Sequence, residues 1–447
     1  MRRPRLRSLA GGAAGIAAGV IGGVALTSVS AAGPPAVARG PALIDATHVP
    51  PLLALGDEPI RLRYGLACSP RDEGLPCDGA GTVYVRAGRS GPFRPYPLTR
   101  GDESKEGRYY FDVPAELAAP GGFSYYAVLR DRATGARVTL PSGGADAPQI
   151  SMALHDPATI RLGRHAFGAV RDPDAHVVTA GWGVSPDDVG LAGSLELGLS
   201  GPSSFDVEQD GSVDVLDSVN GRILRWANGR REIVRLDGAE ELADFAAEPD
   251  GSFDVLEPGG LLKRFRADGT TRWQQKLSDR TWAKLEHGSA VLQEPSEQWM
   301  PVADGGQARS RTDQAHAARP DKRLANGHGL LVARVGATEL RLAEVQGNAP
   351  VRAWRITSET PLGEVQLAEA HGSRIVVVIH AYTDDRDEFV VLVLDANGLA
   401  TSFSVASDSW TETAPLARFR LARGSLYRLR TTPSGAFVDR FDLVVPR

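Results

Sequence analysis

Along the last two-thirds of this chain, apolar residues come in short runs cut at regular intervals by Gly-centred polar turns. The turns Asp210-Gly211, Asp250-Gly251, His287-Gly288, His328-Gly329, His371-Gly372 and Arg423-Gly424 recur at steps of about 40 residues. Each is followed by a second turn: Asn228-Gly229, Asp268-Gly269, Asp304-Gly305, Gln346-Gly347, Asn397-Gly398 and Ser434-Gly435. Two tight turns per repeat, with apolar runs between them, describe a four-stranded antiparallel unit at the step of a β-propeller blade. In the first repeat the predicted strands are 203–208, 212–216, 222–227 and 231–236, and Asp-Gly and Asn-Gly supply the positive φ that two-residue hairpins need. The second repeat follows the first closely, Phe205 to Asp217 lining up with Phe245 to Glu257.

Later repeats diverge. After Gly305 the stretch 307–323 is polar, Arg-rich and without apolar periodicity, which predicts a mobile loop beside a short or missing outer strand in the third repeat. The last repeat predicts strands 416–421, 425–430 and 436–443 and then ends. Val177-Val178-Thr179-Ala180 is a fitting donor of its fourth strand, because a ring closed from its other end leaves no exposed edge there. The expectation is a six-bladed propeller within residues 160–447.

Upstream, residues 45–154 alternate as short strands at 60–66, 82–86, 109–113, 123–130 and 137–140, punctuated by Gly, Pro and Asp clusters. That predicts a small β-sandwich. Of Tyr109, Tyr110, Tyr125 and Tyr126, strand alternation sends half to the core and half to exposed faces. The fold class is therefore all-β, a small sandwich followed by a propeller.

Two resemblances add to this. Gly201-Pro202-Ser203-Ser204-Phe205-Asp206-Val207, then Asp210-Gly211-Ser212-Val213, then Asp217-x-x-Asn220-x-Arg222-Ile223 resembles an NHL repeat. Gly181-Trp182-Gly183 to Leu191 is similar to the lead-in that such proteins place before a blade, whereas Glu257-Pro258-Gly259-Gly260 in the second repeat departs from the Asn-x-Arg element. The run from Tyr109 through Val113-Pro114 to Tyr125-Tyr126 and Pro141 resembles the immunoglobulin-like or fibronectin type III modules of secreted bacterial proteins. The NHL resemblance implies a six-bladed ring whose relatives bind protein or RNA or act as lyases, so it implies no single activity.

Targeting and composition narrow the setting. Arg2, Arg3, Arg5 and Arg7 precede an uncharged run from Leu9 to Leu26, and Val29-Ser30-Ala31 offers a cleavage point, so residues 1–32 read as a signal peptide and the protein as exported. No membrane span is expected after cleavage. A formal net charge of −5 over 447 residues gives no nucleic-acid or anionic-membrane surface. Lysine occurs only at Lys105, Lys263, Lys276, Lys284 and Lys322, which reads as the bias of a GC-rich bacterial genome. The two cysteines, Cys68 and Cys77, are expected to pair in an oxidising compartment, a short loop closure of about 2.7 kcal/mol in the chain-entropy model.

Candidate chemistry is sparse. The three His-Gly pairs occupy the turn slot held by Asp210 and Asp250, so they read as turn residues facing solvent rather than metal ligands. His380 closes the apolar run Ile375 to Ile379 and reads as a satisfied, partly buried histidine. Asp384-Asp385-Arg386-Asp387-Glu388 lacks the Gly-centred calcium loop and reads as a solvated tip. Nucleophile-elbow, zinc-protease and phosphate-loop motifs are absent from the sequence. The leading expectation is an exported bacterial binding protein, a monomer without cofactor, that engages a protein or glycan through loops at one propeller end. Trp182, Asp217, Asn220, Tyr382, Asp384, Asp385 and Trp410 are its candidate ligand-binding residues, and no catalytic or metal-ligating residue is assigned. The alternative is a propeller lyase or hydrolase with a central metal ion.

Overall fold

A computed structural model describes residues 43–48, 50–56, 58–69, 78–118, 121–194, 198–227, 229–238, 244–257, 260–276, 285, 291–293, 299–301, 322–324, 326–347, 349–411 and 417–443. Their regular secondary structure is almost wholly strand.

The alternating N-terminal segments fold as two facing sheets. Leu43–His48, Ile60–Ser69 and Arg108–Val113 make a three-stranded sheet. Leu53–Leu55, Gln149–Leu154, Phe123–Asp131, Gly79–Ala87 and Arg94–Pro97 make the other, with Arg137–Leu140 beside Phe123–Asp131. Leu62, Tyr64 and Phe111 from one sheet meet Val83, Val85 and Tyr125 from the other in one core. Alternation splits the tyrosines. Tyr109 and Tyr125 are buried, Tyr126 stacks on Tyr84, and Tyr110 lies under the Arg61 guanidinium. Cys68, next to the end of its strand, lies in this core, and Cys77 lies outside the described residues.

The repeats fold as antiparallel blades. Blade one is Ser204–Val207, Val213–Asp217, Arg222–Ala227 and Arg230–Arg235; blade two is Asp244–Ala247, Phe253–Glu257, Leu261–Phe265 and Thr271–Lys276. Blade five is Leu362–His371, Arg374–Tyr382, Asp387–Asp395 and Gly398–Ala406. In blades one and two the first two strands are buried throughout and the fourth is largely exposed, so the first strand is innermost. Ser204–Val207 packs beside Asp244–Ala247 on one side and Phe419–Ala422 on the other, and Leu362–His371 lies between Gly329–Arg334 and Phe419–Ala422. Within the third repeat the described strands are Val291–Gln293 and Trp299–Pro301, which pair as a hairpin. The predicted mobile loop falls outside the described residues except at its end, where Lys322–Arg323 is the first strand of blade four.

Turn chemistry follows the sequence. Asp210 and Asp250 each accept a backbone hydrogen bond two residues on, from Ser212 (2.8 Å) and Ser252 (3.0 Å). At Gly269 the backbone has φ +84°, and an added Cβ would lie 1.8 Å from the Arg235 carbonyl oxygen, so only glycine lets this turn rest against blade one.

Blade six is completed from upstream. Phe419–Ala422, Ser425–Thr432 and Gly435–Asp442 receive Ala175–Trp182 as their fourth strand, antiparallel to Gly435–Asp442. At the opposite side of the ring junction, Arg423 in the first turn of blade six donates to the Asp210 carbonyl at 3.1 Å.

The chain before that donor strand forms a strap that the residue pattern did not reveal. Ala158–Arg161 adds a fifth, parallel strand to the outer edge of blade four, beside Ala349–Thr357. Val170 then bridges in parallel to Ser404 in the outer strand of blade five, and the Asp174 amide donates to the Arg440 carbonyl of blade six at 2.8 Å. The strap thus covers the outer edges of blades four and five before it becomes the fourth strand of blade six. His165 and Gly168 fasten it on the way: His165 Nε2 lies 2.8 Å from Glu388 Oε2, and the Gly168 amide donates to Glu388 Oε1 at 2.5 Å.

The sandwich is joined to blade four by more than the chain. Leu53, Leu55, Met152 and Leu154 share a core with Leu331, Ala343 and Val345. Buried at its margin, Arg341 donates to the Leu53 carbonyl at 3.0 Å and to Glu58 and Glu339 carboxylates at 2.5 and 2.6 Å. Arg341→Ala is expected to cost about 2 kcal/mol, the worth of charge-assisted hydrogen bonds whose carboxylates keep some solvent. Calorimetry checks this: the parent should unfold in one transition, and the variant's should broaden or split as the two parts uncouple.

Candidate functional site

Antiparallel order puts successive connections at alternate ends of a blade. The Asp-Gly turns lie at one end; the loops joining second to third strands, and the links between blades, lie at the other. Asp217 and Asn220 in blade one, Tyr382, Asp384 and Asp385 in blade five, Trp182 at the end of the donor strand and Trp410 in the link from blade five to six therefore share one end.

The two tryptophans meet. Their ring centroids are 5.8 Å apart at an interplanar angle of 38°, and both side chains are half-buried. Trp182 Nε1 donates to the Thr432 carbonyl at 3.0 Å, which fixes that indole on blade six. Thr431 Oγ1 accepts from the Trp410 amide at 3.1 Å and the Thr411 amide at 3.2 Å, which fixes the link. Gly201 admits the pair: a Cβ there would lie 2.9 Å from Thr411 Cγ2 and 3.3 Å from the Trp182 ring.

Asp217, Asn220 and Arg222 act together on the neighbouring lead-in. Arg222 Nε donates to Asp217 Oδ2 at 2.8 Å, and its Nη atoms donate to the carbonyls of Val184 (3.2 Å), Ser185 (2.9 Å) and Asp188 (2.9 Å). Asp217 Oδ1 accepts from the Gly190 amide at 2.9 Å, and Asn220 Nδ2 donates to the Gly183 carbonyl at 3.1 Å. Asp217 is wholly buried and Asn220 half-buried. This element holds segment 183–190 just beyond Trp182. Blade two lacks its Asn-x-Arg, yet Lys263 does comparable work, with Nζ donating to Glu257 Oε1 at 2.5 Å and to the Gly238 carbonyl at 2.6 Å.

Tyr382 stands at the edge of blade five, stacked on His380 with centroids 5.5 Å apart. His380 Nε2 lies 3.0 Å from Asp387 Oδ2, so this histidine is satisfied as expected. Asp384 and Asp385 are exposed at the loop tip, where Thr383 Oγ1 donates to Asp385 Oδ1 at 3.0 Å. Ser407 Oγ donates to the Asp387 carbonyl at 2.8 Å and so ties this loop to the link that carries Trp410. The predicted residues therefore form one arc: Tyr382 and the acidic tip, then Trp410, then Trp182, then the lead-in held by Asn220 and Asp217.

The innermost strands hold a separate charged set. Arg420 of blade six reaches toward Asp206 of blade one (3.8 Å) and Asp244 of blade two (3.7 Å). Asp244 also accepts from Ser204 Oγ at 2.5 Å and the Leu285 amide at 2.9 Å, and burial pushes its carboxyl up. These contacts bind neighbouring blades to one another. Of the His-Gly residues, His328 turns back to Glu344 at 2.6 Å, His371 is exposed, and His287 lies outside the described residues. Among the described residues no group of three His, Cys, Asp or Glu side chains is placed to hold a metal ion.

The residue pattern missed one group: Arg428, Arg430, Asp439 and His176 on the blade-six face under the strap. The signal was the alternation Arg428-Leu429-Arg430, which sends both guanidinium groups to one face of the strand.

No protein-family model matches the chain, and no curated protein does. Solved structures similar to it include virginiamycin B lyase from Staphylococcus aureus, 10% identical over 54% of this chain and 95% of that one, with a TM-score of 0.34. BamB from Moraxella catarrhalis is 12% identical over 58% of this chain and 96% of that one, with a TM-score of 0.31. A calcium-binding regucalcin from Agrobacterium tumefaciens is 12% identical over 54% and 89%, with a TM-score of 0.32. Likeness this distant carries no argument about activity, and the propeller stands on the blades and the donated strand described above.

Proposed function

We propose that this is an exported bacterial binding protein. In this reading residues 1–32 are a cleaved signal peptide, residues 45–154 a spacer or adhesion module, and residues 160–447 a six-bladed propeller that presents a ligand surface. Cys68 and Cys77 pair in the exported form. The observation that supports the reading is the arc at one propeller end, which the half-buried Trp182–Trp410 pair shares with Tyr382 and the exposed carboxylates of Asp384 and Asp385. Aromatic anchors rimmed by polar groups suit a protein or glycan partner.

Glycan arrays and cross-linking on intact cells, run with the parent and with Trp410→Ala, test it. The variant is expected to lose at least about 2 kcal/mol of binding, roughly 30-fold in affinity. Full affinity in Trp410→Ala and Trp182→Ala alike would move the ligand elsewhere. A lyase or hydrolase with a central metal ion is the competing class. It requires a melting temperature that falls with chelator, whereas the binding reading expects no change.

A further inference from the structure

We propose that the cleft between blades five and six, beneath the strap, is a second binding site, for a small molecule that carries a single carboxylate. The cavity measures about 390 Å³, in the range of small-ligand pockets. Blade six supplies Arg428, Arg430 and Asp439, the donor strand His176, the end of blade five Asp408, and the strap Arg171 and Asp172.

Arg428 carries the argument. Its cross-strand neighbour is Asp439, the natural counter-ion, but that carboxylate is already committed. Asp439 Oδ1 lies 2.6 Å from His176 Nδ1, and Oδ2 accepts from Arg430 Nε at 2.9 Å. Arg171 is likewise engaged, by Asp174 at 2.6 Å and the Asp442 carbonyl at 3.2 Å. What remains for Arg428 is the Phe389 ring, 6.0 Å from its guanidinium carbon, and Asp408. Nη2 donates to its backbone carbonyl at 2.9 Å, while the carboxylate stands off at 3.5 Å with 63% of that side chain exposed.

The Arg428 side chain is only 3% exposed, and its Nε finds no acceptor among the described residues. Burial lowers its pKa to about 10. A buried guanidinium with one long contact to a solvated carboxylate is costly, and a cavity against its face gives room for a partner. The edge formed by its two Nη atoms can meet the two oxygens of a carboxylate. The carboxylate of Asp408 at the rim disfavours a dianion such as phosphate, which would meet that charge as well.

Thermal-shift and calorimetric titrations of the full chain with acetate, propionate and benzoate test this, with inorganic phosphate and sulfate as other oxyanions and chloride at matched ionic strength as control. The expected result is a saturable rise in melting temperature with carboxylates only, lost in Arg428→Met. That variant should melt no lower than the parent in plain buffer, since an apolar side chain of similar length removes an uncompensated charge. A merely structural arginine would instead make Arg428→Met less stable. The proposal is overturned if carboxylates do no more than chloride, if phosphate or sulfate alone binds, or if Arg428→Met responds as the parent does. Trp410→Ala should leave the carboxylate response intact, which keeps this site distinguishable from the tryptophan arc.

Discussion

Arg222→Ala is expected to destabilise the protein by about 3–5 kcal/mol, the scale on which removal of one member of a buried ion pair acts. The side chains of Arg222 and Asp217 are 2% and 0% exposed, so the stranded carboxylate has no water to turn to. The same change removes the donor that gathers the carbonyls of Val184, Ser185 and Asp188. Melting should fall by roughly 4 °C for a protein of this size. Arg222→Lys should recover little, because one ammonium cannot meet the Asp217 carboxylate and three spread carbonyls together. Equilibrium urea unfolding of the three proteins measures this. Stability within about 0.5 kcal/mol of the parent for Arg222→Ala would mean that the lead-in is held by something else.

Acid is expected to destabilise the sandwich through His48. Its Nδ1 lies 2.6 Å from the Arg63 carbonyl and its Nε2 2.6 Å from the Tyr125 hydroxyl, with its ring stacked on Tyr64 at 4.4 Å. Burial lowers its pKa from 6.5 to about 4, although the bond to Arg63 opposes the shift. The unfolded chain therefore binds a proton that the folded chain refuses between those values. The stability that neutral His48 supports is complete above pH 6.5 and drains away as pH falls toward 4. Over that window the loss is on the order of 3 kcal/mol. Unfolding of the parent and His48→Gln at pH 7 and pH 4.5 checks it, since the glutamine variant should show a flatter pH dependence. Equal slopes would show that His48 gains its proton as readily folded as unfolded.

The blade architecture was legible because each hairpin carries its own local signal. Asp210-Gly211 and Asp250-Gly251 are readable turns, and the predicted strand 222–227 is Arg222–Ala227 in the structure. The strap was not legible. Ala158–Arg161 is four residues long and takes its hydrogen bonds from Ala349–Thr357, nearly two hundred residues away in sequence, so no local pattern marks it. The candidate arc was readable only as a shared end of the propeller. That Trp182 touches Trp410 depends on ring closure, which brings the donor strand beside the last link. The cavity around Arg428 was hidden for the same reason, its lining being drawn from the strap, the end of blade five and blade six.

The most direct test of the account is site-specific photo-cross-linking on intact cells. A photoreactive phenylalanine would replace Tyr382 in the arc or, as the comparison, Ile233 in the outer strand of blade one, both 36% exposed. One saturable cross-linked species is expected from position 382, lost when Trp410→Ala is added, and none from position 233. Equal labelling from both positions, or a discrete species from 233 alone, would contradict a ligand surface at this end of the propeller.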